Sequence, residues 1–335
     1  MSTPKPRVVV TDYAFSDLSI EQRLLSDGGC ELIARQCMSE PDLIELCKDA
    51  DAVITQFARV NARVINAMSR ARGIVRYGIG VDNVDLDAAR ARGIPVCNIP
   101  GYCIEEVADH TLAFMLGLTR QVVTHTIHLR AGKWGLAVPM EKMKALRDLT
   151  VGVVGFGRIG REVVKRLMPF KCFILVSDPA VSPLEIAKRG GRGVPLDDLL
   201  RKSDLITLHC PSTPETRQLI NRRSLASLKP GAILINVGRG DLVDLAALTA
   251  ALESGQVGAA ALDVFDPEPI PPDHPILKMS NLIVAPHIAS ASPTAVRKLR
   301  ETAAQLALKA VRGEPLPTVV NGVQRRMTQV PIPKN

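Results

Sequence analysis

The chain has 335 residues, 46% of them hydrophobic, which suits about two globular domains at one per roughly 100–200 residues. A mild net charge of +8, spread along the chain with only 3% aromatic residues and no basic block, argues against a nucleic-acid surface. No apolar run reaches the roughly 18–20 residues of a membrane span, Met1–Arg7 holds no signal-like apolar region, and seven cysteines without a C-x-x-C pair point to a reducing, cytoplasmic compartment.

Val8–Val10 predicts a first strand, and Gln22–Leu25 predicts the start of a helix. Short apolar runs follow at Ala52–Thr55, Ile74–Tyr77 and Pro95–Ile99, separated by helix-like Pro41–Lys48 and Val64–Met68. Strands alternating with helices predict a parallel sheet covered on both faces, here of flavodoxin-like type. Pro100-Gly101 breaks the pattern. A helical repeat then runs from about Ile104 to Ala131, with Val107, Ala108, Leu112, Met115, Leu118, Val122 and Ile127 on its apolar side. At 1.5 Å per residue it would reach roughly 40 Å. That exceeds the need of one small domain, so the helix either bridges two domains or packs on a second subunit. Gly132–Gly135 ends it, around Trp134.

A second α/β unit begins at Leu149. Its apolar runs are Val151–Val154, Phe173–Val176, Leu205–Leu208, Ala232–Ile235, Ala259–Leu262 and Leu282–Val284, with helical stretches such as Leu245–Leu252 between them. Six runs fit a doubly wound dinucleotide-binding sheet. Pro293 opens another helix, through Leu299, Ala303, Leu306 and Ala310, which is predicted to return to the first domain. The predicted fold class is therefore α/β, with two doubly wound parallel-sheet domains. A discontinuous domain, residues 1–101 and 292–335, would bind substrate, and a Rossmann domain inserted into it, residues 102–291, would bind nucleotide. The tail after Val323 reads as flexible. The chain ends soon after the returning helix, which predicts no appended regulatory domain.

Within the second unit, Val151–Val154 leads into Gly155-Phe-Gly157-Arg158-Ile159-Gly160, and helical spacing follows at Ile159, Val163, Val164 and Leu167. Strand, glycine turn and helix match the dinucleotide fingerprint. Gly155 would make the tight turn, Gly157 would admit a pyrophosphate to the backbone, and Gly160 would let the helix pack closely. The next strand ends at Asp178, the expected distance for an acid on the adenosine ribose hydroxyls. A 2′-phosphate there would meet its charge, and Pro179-Ala180 offers no arginine, so NAD is expected rather than NADP.

Rossmann logic puts chemistry beyond the carboxyl ends of the strands. Those ends deliver His209-Cys210, Asn236-Val237-Gly-Arg239, Asp263 with Glu268, and Pro286-His287. A guanidinium can bind a carboxylate in bidentate fashion, and a histidine beside an acid can stay protonated and act as a general acid. Taken singly, Arg239 also reads as a surface cation, Glu268 as a loop acid and His287 as a strand cap. Their convergence beside the cofactor strand favours a catalytic group. His209 reads as structural. His125 and His128 sit on the long helix without matching ligands, so no metal site is expected.

With these motifs, and with Tyr77-Gly-Ile79-Gly80-Val-Asp-Asn83, the sequence resembles the D-2-hydroxyacid dehydrogenase family over nearly the whole chain, from about Val8 to Val323. Within the family it looks closest to the phosphoglycerate dehydrogenase and C-terminal-binding protein branches. The resemblance implies that Arg239 holds the substrate carboxylate, that His287 exchanges a proton with the ketone oxygen, and that Glu268 keeps His287 protonated. It also implies that the backbone of Ile79 and Gly80 grips the carboxylate and that Asp263 meets the nicotinamide end. Arg158 and Ile159 would cover the pyrophosphate, and Val107, Cys210 and Val237 would line the cleft. The implied activity is NAD-dependent reduction of a small 2-keto acid such as glyoxylate or hydroxypyruvate, by a homodimer. Two alternatives stand beside it: phosphoglycerate dehydrogenase, and an NAD-sensing binding protein without turnover. The far end of the substrate is expected to face Thr55, Gln56, Phe57 and Tyr77, with Arg76 the one nearby cation. Trp134 would close the pocket from a partner subunit or be a packed structural residue.

Overall fold

The computed structural model describes residues 4–323; the tail after Val323, read above as flexible, lies outside them. The chain divides into two compact units, Met1–Tyr102 with Ser292–Asn335, and Cys103–Ala291.

The first unit is a five-stranded sheet of β1 (Arg7–Val10), β2 (Glu31–Ala34), β3 (Ala52–Thr55), β4 (Ile74–Arg76) and β5 (Val96–Cys97), in the order β2-β1-β3-β4-β5. All pairings are parallel. Residues of β1 and β3 are buried on both faces, which is why those strands read as unbroken apolar runs. On one face Val9, Val53, Ile74 and Val96 pack beneath the helices Glu40–Cys47, Ala62–Ala67 and Leu86–Ala91. Each of these helices has a side-chain cap, from Ser39, Asn61 and Asp85 in turn, so each starts where an orphan N–H finds an acceptor.

On the other face Val8, Val10, Ile54 and Val75 pack with Leu25 and with the 20-residue helix Pro293–Arg312. Ser292 caps that helix, Pro293 opens it, and Gly313 ends it in the left-handed conformation. Ala303 and Ala307 are fully buried, so the helix lies close on the sheet. Leu306, 3% exposed, adds about 1.5–3 kcal/mol by leaving water.

The second unit is a seven-stranded sheet of β6 (Thr150–Val154), β7 (Phe173–Ser177), β8 (Arg192–Gly193), β9 (Leu205–Leu208), β10 (Ala232–Asn236), β11 (Val257–Leu262) and β12 (Leu282–Val284). Its order is β12-β11-β10-β9-β6-β7-β8, again all parallel. Strand order reverses between β6 and β9, and the crevice at their carboxyl ends is where such sheets take dinucleotides. The expected α/β class with two parallel sheets is the observed one.

The long helix predicted over Ile104–Ala131 is two helices, Ile104–Thr119 and Val122–Arg130. Gln121 interrupts them with φ 56°, in the left-handed region, and its side-chain Nε2 donates to the Leu118 carbonyl. The first helix buries Val107, Leu112, Met115 and Leu118, whereas the second buries nothing. Trp134 is 91% exposed, so it is not packed against the described residues of this chain. No described helix is long and apolar enough to cross a membrane.

Candidate active site

The glycine loop follows β6. Gly155 has φ +92°, and a Cβ there would lie 2.6 Å from the backbone of His209 and Cys210, so the turn requires glycine. A Cβ at Gly157 would meet nothing, which leaves open space above the backbone, and Gly160 sits against the Gly155 carbonyl. The helix Arg158–Leu167 has no side-chain cap at its start, so the N–H groups of its first turn, with Arg158 and Ile159, are available to an anion. Asp178, just beyond β7, closes this loop. Its Oδ2 accepts from the Phe156 N–H at 2.6 Å and its Oδ1 from the Ala180 N–H at 2.8 Å. It also lines a cleft of about 430 Å³ with Pro179, Ala180 and Val194. An acid fixed by two backbone donors beside an open glycine loop fits a ribose and pyrophosphate.

Cys210 and Val237 follow β9 and β10, and Val107 lies buried on the helix Ile104–Thr119. Burial pushes the Cys210 thiol up to about 11, which disfavours the thiolate. His209, read from the sequence as structural, is bonded through Nε2 to the Thr207 hydroxyl at 2.9 Å, and burial pushes it down to about 3.

Beyond β11, β12 and β10 the chain brings Glu268, His287 and Arg239 together. His287 Nδ1 is 2.7 Å from Glu268 Oε2, and Glu268 Oε1 accepts from the Phe265 N–H at 2.8 Å. Burial pushes Glu268 up, but the hydrogen bond and charge of His287, the Phe265 N–H and the charge of Arg239 outweigh it and hold the carboxyl low. The acid is thus ionised and accepts, so Nδ1 carries the proton and Nε2 lies on the opposite edge of the ring. His287 has φ 55°, a strained setting for a side chain of its size. Its N–H donates to the Asp263 carbonyl at 2.7 Å, and the N–H groups of Ile288 and Ala289 donate to the Asp263 carboxylate at 2.8 and 2.9 Å. Asp263, 1% exposed, therefore anchors the turn that presents the histidine. Burial outweighs those donors and nearby His110 and His287, and raises its pKa.

Two residues of this region carried no role in the sequence reading. Asn236, fully buried, donates through Nδ2 to the Arg239 carbonyl at 2.7 Å and accepts from the Gly238 N–H at 3.0 Å. It shapes the turn that projects Arg239, and the Asn-x-Gly spacing is its signal. His110 Nε2 lies 3.9 Å from Asp263 Oδ1, and only its place one turn after Val107 hints at that.

Ile79 and Gly80 lie in the first unit, in the loop after β4. The Ile99 N–H donates to the Gly78 carbonyl at 2.8 Å and Asn98 Nδ2 to the Ile79 carbonyl at 2.7 Å. With the carbonyls tied back, the N–H groups of Ile79 and Gly80 have no hydrogen-bond partner among the described residues. The expected far wall changes: Tyr77 is 1% exposed and packs with Val75 on the sheet face under the helix Pro293–Arg312, as alternation along a strand requires. Thr55 is also fully buried, and only Phe57 of that set is well exposed. Among the described residues no group of three or more His, Cys, Asp or Glu is placed to hold a metal.

Residues 112–289 match the family model described as D-isomer specific 2-hydroxyacid dehydrogenase, NAD binding domain, and the cofactor is NAD. A glyoxylate reductase of Korarchaeum cryptofilum is 39% identical, covering 84% of this chain and 86% of its own. A D-3-phosphoglycerate dehydrogenase of Mycobacterium tuberculosis is also 39% identical, over 83% of this chain but 52% of its own, so the chain spans about half the length of that relative. The crystal structure of a D-lactate dehydrogenase from Aquifex aeolicus complexed with NAD and lactic acid superposes with a TM-score of 0.83 at 30% identity, covering 92% of this chain and 96% of its own. A family model that spans more than half of the sequence, and a relative of matching length at 39% identity, lead to one conclusion: this chain belongs to the D-isomer specific 2-hydroxyacid dehydrogenase family.

Proposed function

We propose that this chain catalyses reversible hydride transfer between NADH and a small 2-keto acid of the glyoxylate or hydroxypyruvate kind. The observation that supports it most is the 2.7 Å His287–Glu268 pair, an imidazole whose Nδ1–H is committed to an ionised acid. Such a histidine can release a proton from Nε2 to a ketone oxygen and recover it in the reverse direction. NAD, when bound, supplies or accepts the hydride. Arg239, in the second unit, is read as a ligand of the substrate carboxylate; the N–H groups of Ile79 and Gly80, in the first, are read the same way and have no hydrogen-bond partner among the described residues. Asp178 takes the ribose hydroxyls, Arg158 and Ile159 cover the pyrophosphate, and Val107, Cys210 and Val237 line the cleft. Asp263 sets the nicotinamide end along with the His287 turn. In this reading residues 1–101 with 292–335 serve the substrate and 102–291 the cofactor.

The protein works as a homodimer in a reducing, cytoplasmic setting. Exposed Val122, Val123, Ile127, Leu129, Trp134 and Leu136 support the first point, since so much adjacent apolar surface is costly in water. Seven free cysteines support the second.

One observation favours phosphoglycerate as a second reading. The Arg76 guanidinium lies where a Cβ on Gly78 would be, in the same loop as Ile79 and Gly80. The test ranks kcat/KM for glyoxylate, hydroxypyruvate, pyruvate and phosphohydroxypyruvate, with NADH and NADPH in parallel. An unphosphorylated acid with NADH is expected to lead. A lead for phosphohydroxypyruvate above about tenfold, roughly 1.4 kcal/mol in transition-state binding, establishes the second reading. Equal or better use of NADPH overturns the role given to Asp178.

A further inference from the structure

Beneath the Gly78–Gly80 loop lies a sealed group of charged and aromatic side chains that the chemistry above does not use. Glu21, on the helix Ser19–Asp27, is wholly buried. Arg300, on the helix Pro293–Arg312, is 6% exposed and grips it as a fork: Nε lies 3.0 and 3.1 Å from the two carboxylate oxygens and Nη2 lies 2.7 Å from Oε2. Nη2 also donates to the Asp17 carbonyl at 2.7 Å. The fourth member is Tyr77, whose hydroxyl donates to Glu21 Oε1 at 2.9 Å. Burial and the adjoining Glu21 push its pKa far up, so it remains a donor. Phe15 closes the group, with its ring 5.2 Å edge-on from Tyr77 and the Arg300 guanidinium 5.1 Å above its centroid.

A buried ion pair is a poor source of stability, because desolvating both charges offsets their attraction. What it gives is a fixed direction. Tyr77 is held at both ends: its N–H extends the sheet ladder to the Thr55 carbonyl at 2.8 Å, and its hydroxyl is pinned to Glu21. The next residues are Gly78, at φ +149°, and then Ile79 and Gly80. A glycine in that conformation does not fix the chain by itself, so the orientation of the loop N–H groups depends on Tyr77 upstream and on the Asn98–Ile99 bonds downstream.

We propose that Tyr77, Glu21 and Arg300 are positioning residues that aim the Ile79 and Gly80 N–H groups at the substrate carboxylate. This rests on the reading of those N–H groups as carboxylate ligands. The group acts through the loop backbone and touches neither substrate nor cofactor.

The test uses the full-length Tyr77→Phe variant, which removes one hydroxyl and keeps the ring, with Leu25→Ala as control. Leu25 is fully buried in the same core, and its aliphatic side chain carries no hydrogen-bonding atom. Keto-acid KM, kcat, NADH dissociation constant, thermal midpoint and amide hydrogen exchange over residues 77–81 are measured for each. Tyr77→Phe should raise keto-acid KM about tenfold, the scale of one hydrogen bond to a charged group. It should also speed exchange over 77–81, with kcat and NADH affinity little changed. Leu25→Ala should lower the thermal midpoint and leave KM and loop exchange alone. Unchanged loop exchange in Tyr77→Phe, or an equal rise of KM in Leu25→Ala, overturns the proposal. Should the wild-type protein reduce no keto acid, the functional reading fails separately, and loop exchange alone decides whether the group positions the backbone.

Discussion

Each unit holds a carboxylate paired with a nitrogen base, and the two pairs are built differently. In the first, Glu21 and Arg300 are sealed, with side chains 0% and 8% exposed. In the second, Glu268 and His287 are about one-third open, at 32% and 29%. A guanidinium does not titrate in the working range, so sealing it makes a fixture. The His287 imidazole is left partly open to solvent, within reach of a proton donor or acceptor. Burial and partner chemistry together separate a pair built to hold from the pair proposed above to exchange a proton with substrate.

The sharpest way to break this comparison is to remove one base from each pair. His287→Ala should lower kcat for the best keto acid by at least about 10²–10⁴-fold, the usual share of a general acid, and shift the thermal midpoint little. A wild-type rate in steady-state assays would end the catalytic role. Arg300→Leu should do the opposite. It leaves a buried carboxylate uncompensated and should cost about 3–5 kcal/mol in urea unfolding, while the double variant with Glu21→Gln recovers much of that. If the double variant is no better than the single, the cost lies in lost packing rather than in stranded charge.

A smaller effect sharpens the contrast further. The carboxyl of Glu268 is held below its ordinary value, with burial opposing and His287 winning. A lowered folded pKa gives stability that is full above the unfolded value, about 4.3, and is lost as pH falls through the lower folded value. Wild-type and Glu268→Gln thermal midpoints, followed downward from neutral pH, should therefore converge on the acid side. The same variant should move the pH profile of kcat/KM more than it changes NADH affinity. Parallel midpoint curves across that window would show that the pair does not couple to folding.

Much of this was legible in the sequence, because the decisive elements are local. The strand–glycine–helix fingerprint, Asp178 and the strand-end residues Arg239, Glu268 and His287 each follow from a short stretch read in sheet logic. Less regular features escaped. β2 is an edge strand opening on an exposed Glu31, and β8 is only Arg192–Gly193, so neither makes an apolar run. The break at Gln121 has no glycine or proline to mark it; a side-chain bond to Leu118 stabilises the turn instead. Tyr77 reads as a pocket residue by its neighbours, but its parity with Val75 sends it under a helix. The Glu21–Arg300 pair spans 279 positions, and nothing local to either residue announces the other.

That separation bears on how the protein is made. A ribosome delivers β1–β5 first, then the whole contiguous unit Cys103–Ala291, and only afterwards the helix Pro293–Arg312 that covers Val8, Val10, Ile54 and Val75. Until that helix emerges, Glu21 lacks the Arg300 guanidinium and one face of the sheet is covered only in part, by Leu25 and its helix. The second unit is therefore the first able to complete its core during translation, and the polypeptide that begins synthesis is the last to finish folding. A nascent chain whose emerged part ends near Ala291 would carry one complete unit and one sheet with a partly open apolar face.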